Sequence, residues 1–154
     1  MEIEITERLI KSAAQARSNA YAPYSGFTVG AALLTASGQI FTGSNIENAS
    51  YSATVCAERT AFFRAVSEGG RDFVKMAVCG GQGGMVTGPC PPCGICRQVM
   101  AEFCRGSFEI LVIRGTNPLV YDRYTLDQLL PVRFTAAAAE LPAHAEGERN
   151  RGHV

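Results

Sequence analysis

The chain has 154 residues, 47% of them apolar and 18% charged, and its 14 basic and 14 acidic side chains cancel to a formal charge of zero. That is enough for one domain with a proper core, read over residues 1–135 and followed by a tail over 136–154. No dense Lys/Arg block appears where a polynucleotide binder normally shows a basic stripe, which favours a small substrate while leaving open a patch made by folding. No run is long and apolar enough to span a membrane, and the opening Met1-Glu-Ile-Glu is not read as a secretory signal. Six cysteines without such a signal point to reduced thiols and metal binding in the cytosol rather than to disulfides.

In chain order, residues 5–19 carry Leu9, Ile10, Ala13, Ala14 and Ala16 on or near one face, the spacing of an amphipathic helix that covers a sheet. Tyr21-Ala-Pro-Tyr-Ser-Gly26 is a loop by its Pro and Gly. A strand runs over 27–35, small enough at its centre to let a helix approach, and Ala36-Ser-Gly-Gln39 turns it into a second strand over 40–44. The polar loop 45–51 leads to a helix starting at Ala57. After a buried strand over 73–79 comes the glycine-rich stretch 80–88. It tempts a phosphate-loop reading, but no Gly-Lys-Ser/Thr follows and no helix opens on it, so it is read as a flexible connection.

A helix over 95–103, strands over 108–114 and 119–124, and a short helix over 125–130 ended by Pro131 complete the pattern. Alternating strands and helices imply a three-layer α/β/α sandwich around one mixed sheet. No internal repeat is visible. From Ala136 the chain turns Ala-rich and then charged, with no apolar period after Leu141, the composition of a frayed tail. His144 and His153 lie there and are not read as ligands.

Two stretches carry chemistry. Tyr51-Ser-Ala-Thr-Val-Cys56-Ala-Glu58-Arg59 offers a thiol and, two residues on, a carboxylate; Pro92-Cys93-Gly-Ile-Cys96-Arg97 offers two thiols in a C-x-x-C turn. Three sulfurs beside an acid that need not be a ligand make the donor set of an open, catalytic zinc site, because a closed structural site usually takes four protein ligands. Cys-x-Glu followed by Pro-Cys-x-x-Cys is the general pattern of zinc deaminases, with the Glu as proton carrier.

The residue types suit that chemistry. Deaminating a cytosine ring at C4 needs a nucleophile stronger than bulk water, and zinc lowers the pKa of bound water toward ~7. Glu58 beside it would take that proton, pass one to ring N3 and later protonate the departing amine. Both cysteine stretches read as helix starts, where the macrodipole favours thiolates. Three thiolates on Zn²⁺ leave an excess negative charge, which Arg59 offsets by donating to a ligand sulfur. A lone C-x-x-C could instead be a redox pair or half of a structural site, and a lone Cys-x-Glu means little. Their combination, each opening a helix, is specific.

These stretches, together with Tyr24-Ser-Gly-Phe27-Thr-Val-Gly-Ala-Ala-Leu33 and Asn45-Ile-Glu47-Asn48-Ala49, resemble the small homotetrameric zinc-dependent cytidine deaminases over residues 7–134. The resemblance implies a five-stranded sheet flanked by helices, one zinc per subunit, and a tetramer whose active sites are completed by neighbouring subunits. It implies hydrolytic deamination of cytidine and 2′-deoxycytidine to the uridines, with release of ammonia, in pyrimidine salvage. The partner is then a small nucleoside, not a nucleic acid.

By position, the resemblance gives Asn45 and Glu47 the ribose 3′-hydroxyl, which an amide and a carboxylate suit because a hydroxyl both accepts and donates. On the residues alone a solvated turn is as good a reading. Phe27 would pack against the pyrimidine, although by itself it reads as a core aromatic. The backbone N–H of Ala57 would meet the base carbonyl, Tyr51 would reach a neighbouring subunit's ligand, and Phe134 is similar to the aromatic that a neighbour inserts over the base.

There are departures. Ile95 stands where the family has a smaller residue, and the tail beyond Phe134 is longer. Cys90-Pro-Pro-Cys93 offers a second possible C-x-x-C; because Pro92-Cys93 fits the family's Pro-Cys, Cys93 and Cys96 are taken as ligands and Cys90 as a spectator. Cys79 and Cys104 read as small core hydrophobes. The rival readings are a deaminase of another aminopyrimidine such as blasticidin S, a nucleic-acid-editing deaminase, and an inactive zinc-folded scaffold.

Overall fold

The computed structural model describes residues 2–138, so the expectations for the tail beyond them, including His144 and His153, lie outside the described residues. Strands β1 (Thr28–Thr35), β2 (Ile40–Ser44), β3 (Phe73–Gly81), β4 (Glu109–Thr116) and β5 (Leu119–Thr125) form one sheet in the order β2-β1-β3-β4-β5. β1 is antiparallel to β2 and β3, β3 runs parallel to β4, and β4 is antiparallel to β5, so the sheet is mixed as expected.

The strand period of two sorts the central residues onto two cores. On one face Ala32, Leu34, Ala77, Cys79, Leu111 and Ile113 meet Leu9, Ile10 and Ala13 of helix α1 (Glu2–Ala16). On the other, Val29, Ala31, Leu33, Met76 and Val78 meet helices α2 (Ala57–Ser67), α3 (Gly94–Phe103) and α4 (Leu126–Leu129) around the fully buried Phe62. This is the three-layer α/β/α arrangement.

Three boundaries differ from the periodicity in ways that bear on the site. α1 starts at Glu2 rather than at residue 5, because Glu2 and Glu4 occupy its first turn, where the positive end of the macrodipole favours acids. Its expected last residues, 17–19, close as a 3-10 turn. β3 runs on through Gly80 and Gly81, which pair with Val29 and Thr28, so the connection begins two residues later than expected. A Cβ on Gly80 would lie 2.8 Å from Cys90 Sγ and 2.9 Å from Phe27 Cε1, so glycine serves there as a space for neighbours rather than as a hinge.

Candidate functional site

Cys56 is the N-cap of α2 and Cys93 the N-cap of α3, with Cys96 in the first turn of the same helix. The two helix starts therefore meet. Cys56 Sγ lies 3.7 Å from Cys93 Sγ, which lies 3.4 Å from Cys96 Sγ, and all three sulfurs fall within 4.8 Å of one another. A tetrahedral ion with Zn–S bonds near 2.3 Å needs sulfur–sulfur edges of about 3.8 Å, so the three fit one metal with a fourth position left over.

The charge around the trio fits as well. Arg59 donates from one terminal nitrogen to Thr54 O at 3.2 Å and to Cys56 Sγ at 3.7 Å, and its buried Nε has no hydrogen-bond partner among the described residues. An unused guanidinium donor held against sulfurs matches an anionic cluster. A hydrogen bond from Cys96, reinforced by Arg59, holds the Cys56 thiol down to about 5 in spite of its burial. Cys96, the donor in that pair, is pushed up. A divalent cation takes the place of such shared protons, because metal binding to thiols releases them.

Glu58 follows Cys56 by two residues and is 96% buried, at 4% exposure, in the first turn of α2. Burial pushes its carboxyl up to about 7, and the Cys56 charge adds to the rise. Near neutral pH such a group can both take and give a proton. The α2 start is itself seated by β2: Gly43 leaves room for the Ala57 carbonyl and the Ala61 amide, which a Cβ would strike.

Of the other predicted residues, Glu47 and Tyr51 line one pocket and Asn45 bonds to Phe27, while Phe134 is not among the pocket's lining residues. A pocket of about 360 Å³ is lined by Tyr24, Ser25, Glu47, Tyr51 and Thr54, with Tyr24 and Tyr51 in edge-to-face contact at 5.8 Å between ring centres. Glu47 accepts from the backbone N–H groups of Tyr24 and Ser25 and from the Ser25 hydroxyl. Asn45 accepts from Val29 N at 2.7 Å and donates to Phe27 O at 2.9 Å. Phe27 is half-buried beside the α2–α3 core. Tyr51 and Phe134 are 75% and 64% exposed, and the Phe134 carbonyl accepts from Gln98 Nε2 at 2.8 Å.

Cys90 stays outside the sulfur trio; it packs against the core, and burial pushes its thiol up to about 11. Cys79 is fully buried and Cys104 packs against the core, both as read. Two contributors went unnoticed in the sequence. The Ser25 hydroxyl is one. Arg97 is the other: its Nε donates to Pro92 O at 2.8 Å and its Nη1 to Leu129 O at 2.9 Å. The signal for Arg97 was its place directly after Cys96.

Comparison with known proteins agrees with this geometry. Residues 3–111 match the model of the cytidine and deoxycytidylate deaminase zinc-binding region. A cytidine deaminase from Halalkalibacterium halodurans is 51% identical over 130 residues, covering 84% of this chain and 94% of that protein. The crystal structure of a cytidine deaminase from Burkholderia pseudomallei superposes with a TM-score of 0.75 at 44% identity, covering 83% of this chain and 98% of that one. A blasticidin-S deaminase from Bacillus cereus is more distant, at 31% identity over 111 residues, 70% of this chain and 76% of that protein.

Proposed function

This chain belongs to the cytidine and deoxycytidylate deaminase family, and we propose that it hydrolyses the nucleosides cytidine and 2′-deoxycytidine to uridine and 2′-deoxyuridine, releasing ammonia. The observation that carries the reaction is the convergence of three sulfurs at two helix starts beside a buried carboxyl. The cofactor is one zinc ion per subunit, held by Cys56, Cys93 and Cys96. When bound, zinc supplies the Lewis acidity that makes water nucleophilic near neutral pH.

Glu58 does the proton work. Its carboxylate accepts a proton from the attacking water and delivers it to ring N3 as the C4–O bond forms; it then takes the proton of the new C4 hydroxyl and hands it to the amino group, so that the C4–N bond breaks, ammonia leaves and the C4 carbonyl forms. Its elevated carboxyl and its burial suit both directions of transfer. Arg59 balances the sulfur charge, and the Ala57 N–H, at the opening of α2, donates to the base carbonyl.

The remaining hydrogen-bond capacity of Asn45 and Glu47 supports the sugar reading. A carboxylate offers about four acceptor sites, and three donors already occupy Glu47. Asn45 has one amide hydrogen engaged and one left over. One donor and one acceptor site are the complement of a single hydroxyl, which we assign as the ribose 3′-hydroxyl. Nothing in that pair addresses the 2′ position, so both sugars are accepted. Phe27 packs on the pyrimidine.

The pocket holds a carboxylate and no Lys or Arg, which favours an uncharged nucleoside over a nucleotide or a strand of nucleic acid. Exposed Tyr51, Val132 and Phe134 are apolar surface that a homotetramer would cover, with Tyr51 and Phe134 completing neighbouring sites. Six unpaired cysteines suit a reducing cytoplasm, and no helix among the described residues is long and apolar enough to cross a membrane. We place the activity in pyrimidine salvage.

The test is the ultraviolet spectrum of cytidine mixed with zinc-replete protein. A shift to the uridine spectrum is expected. An unchanged spectrum, with blasticidin S converted instead, would move the substrate to that antibiotic. Light scattering on a sizing column checks the tetramer, and a monomer mass would remove the shared site.

A further inference from the structure

Phe27 is held at both ends of its peptide unit. Its N–H donates to Ser25 Oγ at 3.0 Å, and its carbonyl accepts from Asn45 Nδ2 at 2.9 Å. The same Ser25 hydroxyl donates to Glu47 Oε1. A hydroxyl can serve both neighbours because it carries one proton and two lone pairs. Ser25 therefore stands between the carboxylate at one end of the proposed site and the aromatic ring at the other, 22 residues from Glu47 in sequence.

We infer that Ser25 is a positioning residue for substrate selection: through its hydroxyl, a sugar 3′-hydroxyl captured by Glu47 fixes the place of Phe27 against the base. This rests on the sugar reading of Asn45 and Glu47 given above. The wiring has a direct consequence. Glu47 Oε2 is held by the Tyr24 and Ser25 amides, at 2.8 and 3.2 Å, independently of the Ser25 side chain. Oε1 has only the hydroxyl among the bonds described. Removing that hydroxyl frees one oxygen of the carboxylate and one N–H of Phe27 on an exposed turn where water can replace the lost partners. The fold and the metal trio are untouched, because neither Cys56, Cys93, Cys96 nor Glu58 bonds to Ser25. The Ser25 hydroxyl is also the main reason that Glu47 lies below the usual carboxylate range.

The larger loss must then fall on substrates that present a 3′-hydroxyl, because the Asn45 bond to the Phe27 carbonyl still holds the ring for those that do not. The experiment measures kcat and KM for cytidine and for 3′-deoxycytidine with the wild type, Ser25→Ala and Ser25→Thr, with bound zinc determined for each. The expected result is a wild type that prefers cytidine, and a Ser25→Ala variant whose kcat/KM for cytidine falls about tenfold through KM while that for 3′-deoxycytidine stays within about twofold. Ser25→Thr, which keeps the hydroxyl, recovers most of the preference, and all three proteins hold zinc. Equal losses on both substrates, no loss on either, or loss of zinc from Ser25→Ala each overturn the inference while leaving the sugar reading in place. A wild type that treats the two substrates alike overturns the sugar reading itself, and the inference with it.

Discussion

Gly43 of β2 lies directly under Ala57 of α2, so close that a Cβ on Gly43 would strike the Ala57 carbonyl oxygen and the Ala61 amide nitrogen. The helix that begins with Cys56 and carries Glu58 thus rests backbone-to-backbone on the sheet. Gly43→Ala has to lift its first turn, moving a sulfur and the carboxyl together. Overpacking of this kind costs about 1–3 kcal/mol. We expect a lowered melting temperature, together with a matched fall in bound zinc and in kcat. Gly94→Ala adds the same methyl where nothing lies within 4 Å and should keep all three. Equal behaviour of the two variants would refute the seating role.

Glu58→Gln keeps the shape of the side chain and removes its ability to carry a proton. Glu58 is not one of the three clustered donors, so zinc should remain at one per chain. Turnover should drop by about 10²–10⁴-fold, the range of general acid–base catalysis. Metal analysis beside kcat at saturating cytidine checks both halves, and substantial turnover in the variant would sink the proton-carrier role.

The choice between Cys90 and Cys96 is open to the same metal analysis. Cys96 is buried at the α3 start within reach of both other sulfurs, whereas Cys90 packs beside Gly80 and Phe27. Cys96→Ala should lose its zinc and its activity. Cys90→Ala should keep both, giving up no more than about 2 kcal/mol of packing. Stripping zinc from the wild type with a chelator should reproduce the Cys96→Ala phenotype and reverse on adding zinc back. The opposite ranking of the two variants would reassign the ligands.

What could be read in the sequence was what short spacing encodes. Cys56, Glu58, Cys93 and Cys96 declare themselves because a helix start fixes neighbours two and three residues apart, and the three central strands show in their apolar runs. The partners that fold brings from afar were silent. Ser25 meets Glu47 across 22 residues. Arg17, a charged residue inside the expected helix over 5–19, carries no such signal. Yet it is buried, and it donates to Thr28 O and Thr28 Oγ1 at 3.1 Å and to Met85 O at 2.8 Å, tying the glycine-rich connection to β1. Its acceptors are a hydroxyl and backbone carbonyls, and most of these look the same in every sequence. Gly80 and Gly81 misled for a related reason: glycine marks a loop or a close approach equally well, and only packing decides.

Away from the site, Lys75 of β3 is largely buried and pairs with Glu109 of β4 at 2.9 Å, while Arg123 of β5 reaches the same carboxylate at 3.1 Å. Burial by itself would raise the Glu109 carboxyl, but Lys75 and Arg123 outweigh it and hold the group below its usual value. A carboxyl depressed in the folded state stabilises the fold above its unfolded pKa and loses that contribution as the pH falls through the folded one. Glu109→Gln should therefore be less stable than the wild type at pH 7, by about 1–3 kcal/mol. The gap should close on acidification, as the wild-type carboxyl also becomes neutral. Melting temperatures from pH 7 down to pH 3 check this, and a gap of constant size would exclude the linkage.

Arg97 and Gln98, adjacent on α3, hold different things. Arg97 clamps the carbonyl of Pro92, just before Cys93, and that of Leu129 at the end of α4; Gln98 holds the carbonyl of Phe134. Lysine cannot span the two carbonyls that the planar guanidinium bridges. Arg97→Lys should loosen the turn that presents Cys93, and outer-shell changes of this kind cost about 10–100-fold in metal affinity. Gln98→Ala leaves that turn alone and releases only the Phe134 segment. It should keep zinc affinity while raising KM for cytidine, if Phe134 covers a neighbour's base as proposed. Competition with a chromophoric chelator, run beside steady-state kinetics, separates the two effects. Zinc affinity that falls in both variants would mean that the C-terminal segment and the metal turn act as one unit, and zinc affinity unchanged in Arg97→Lys would remove the clamp.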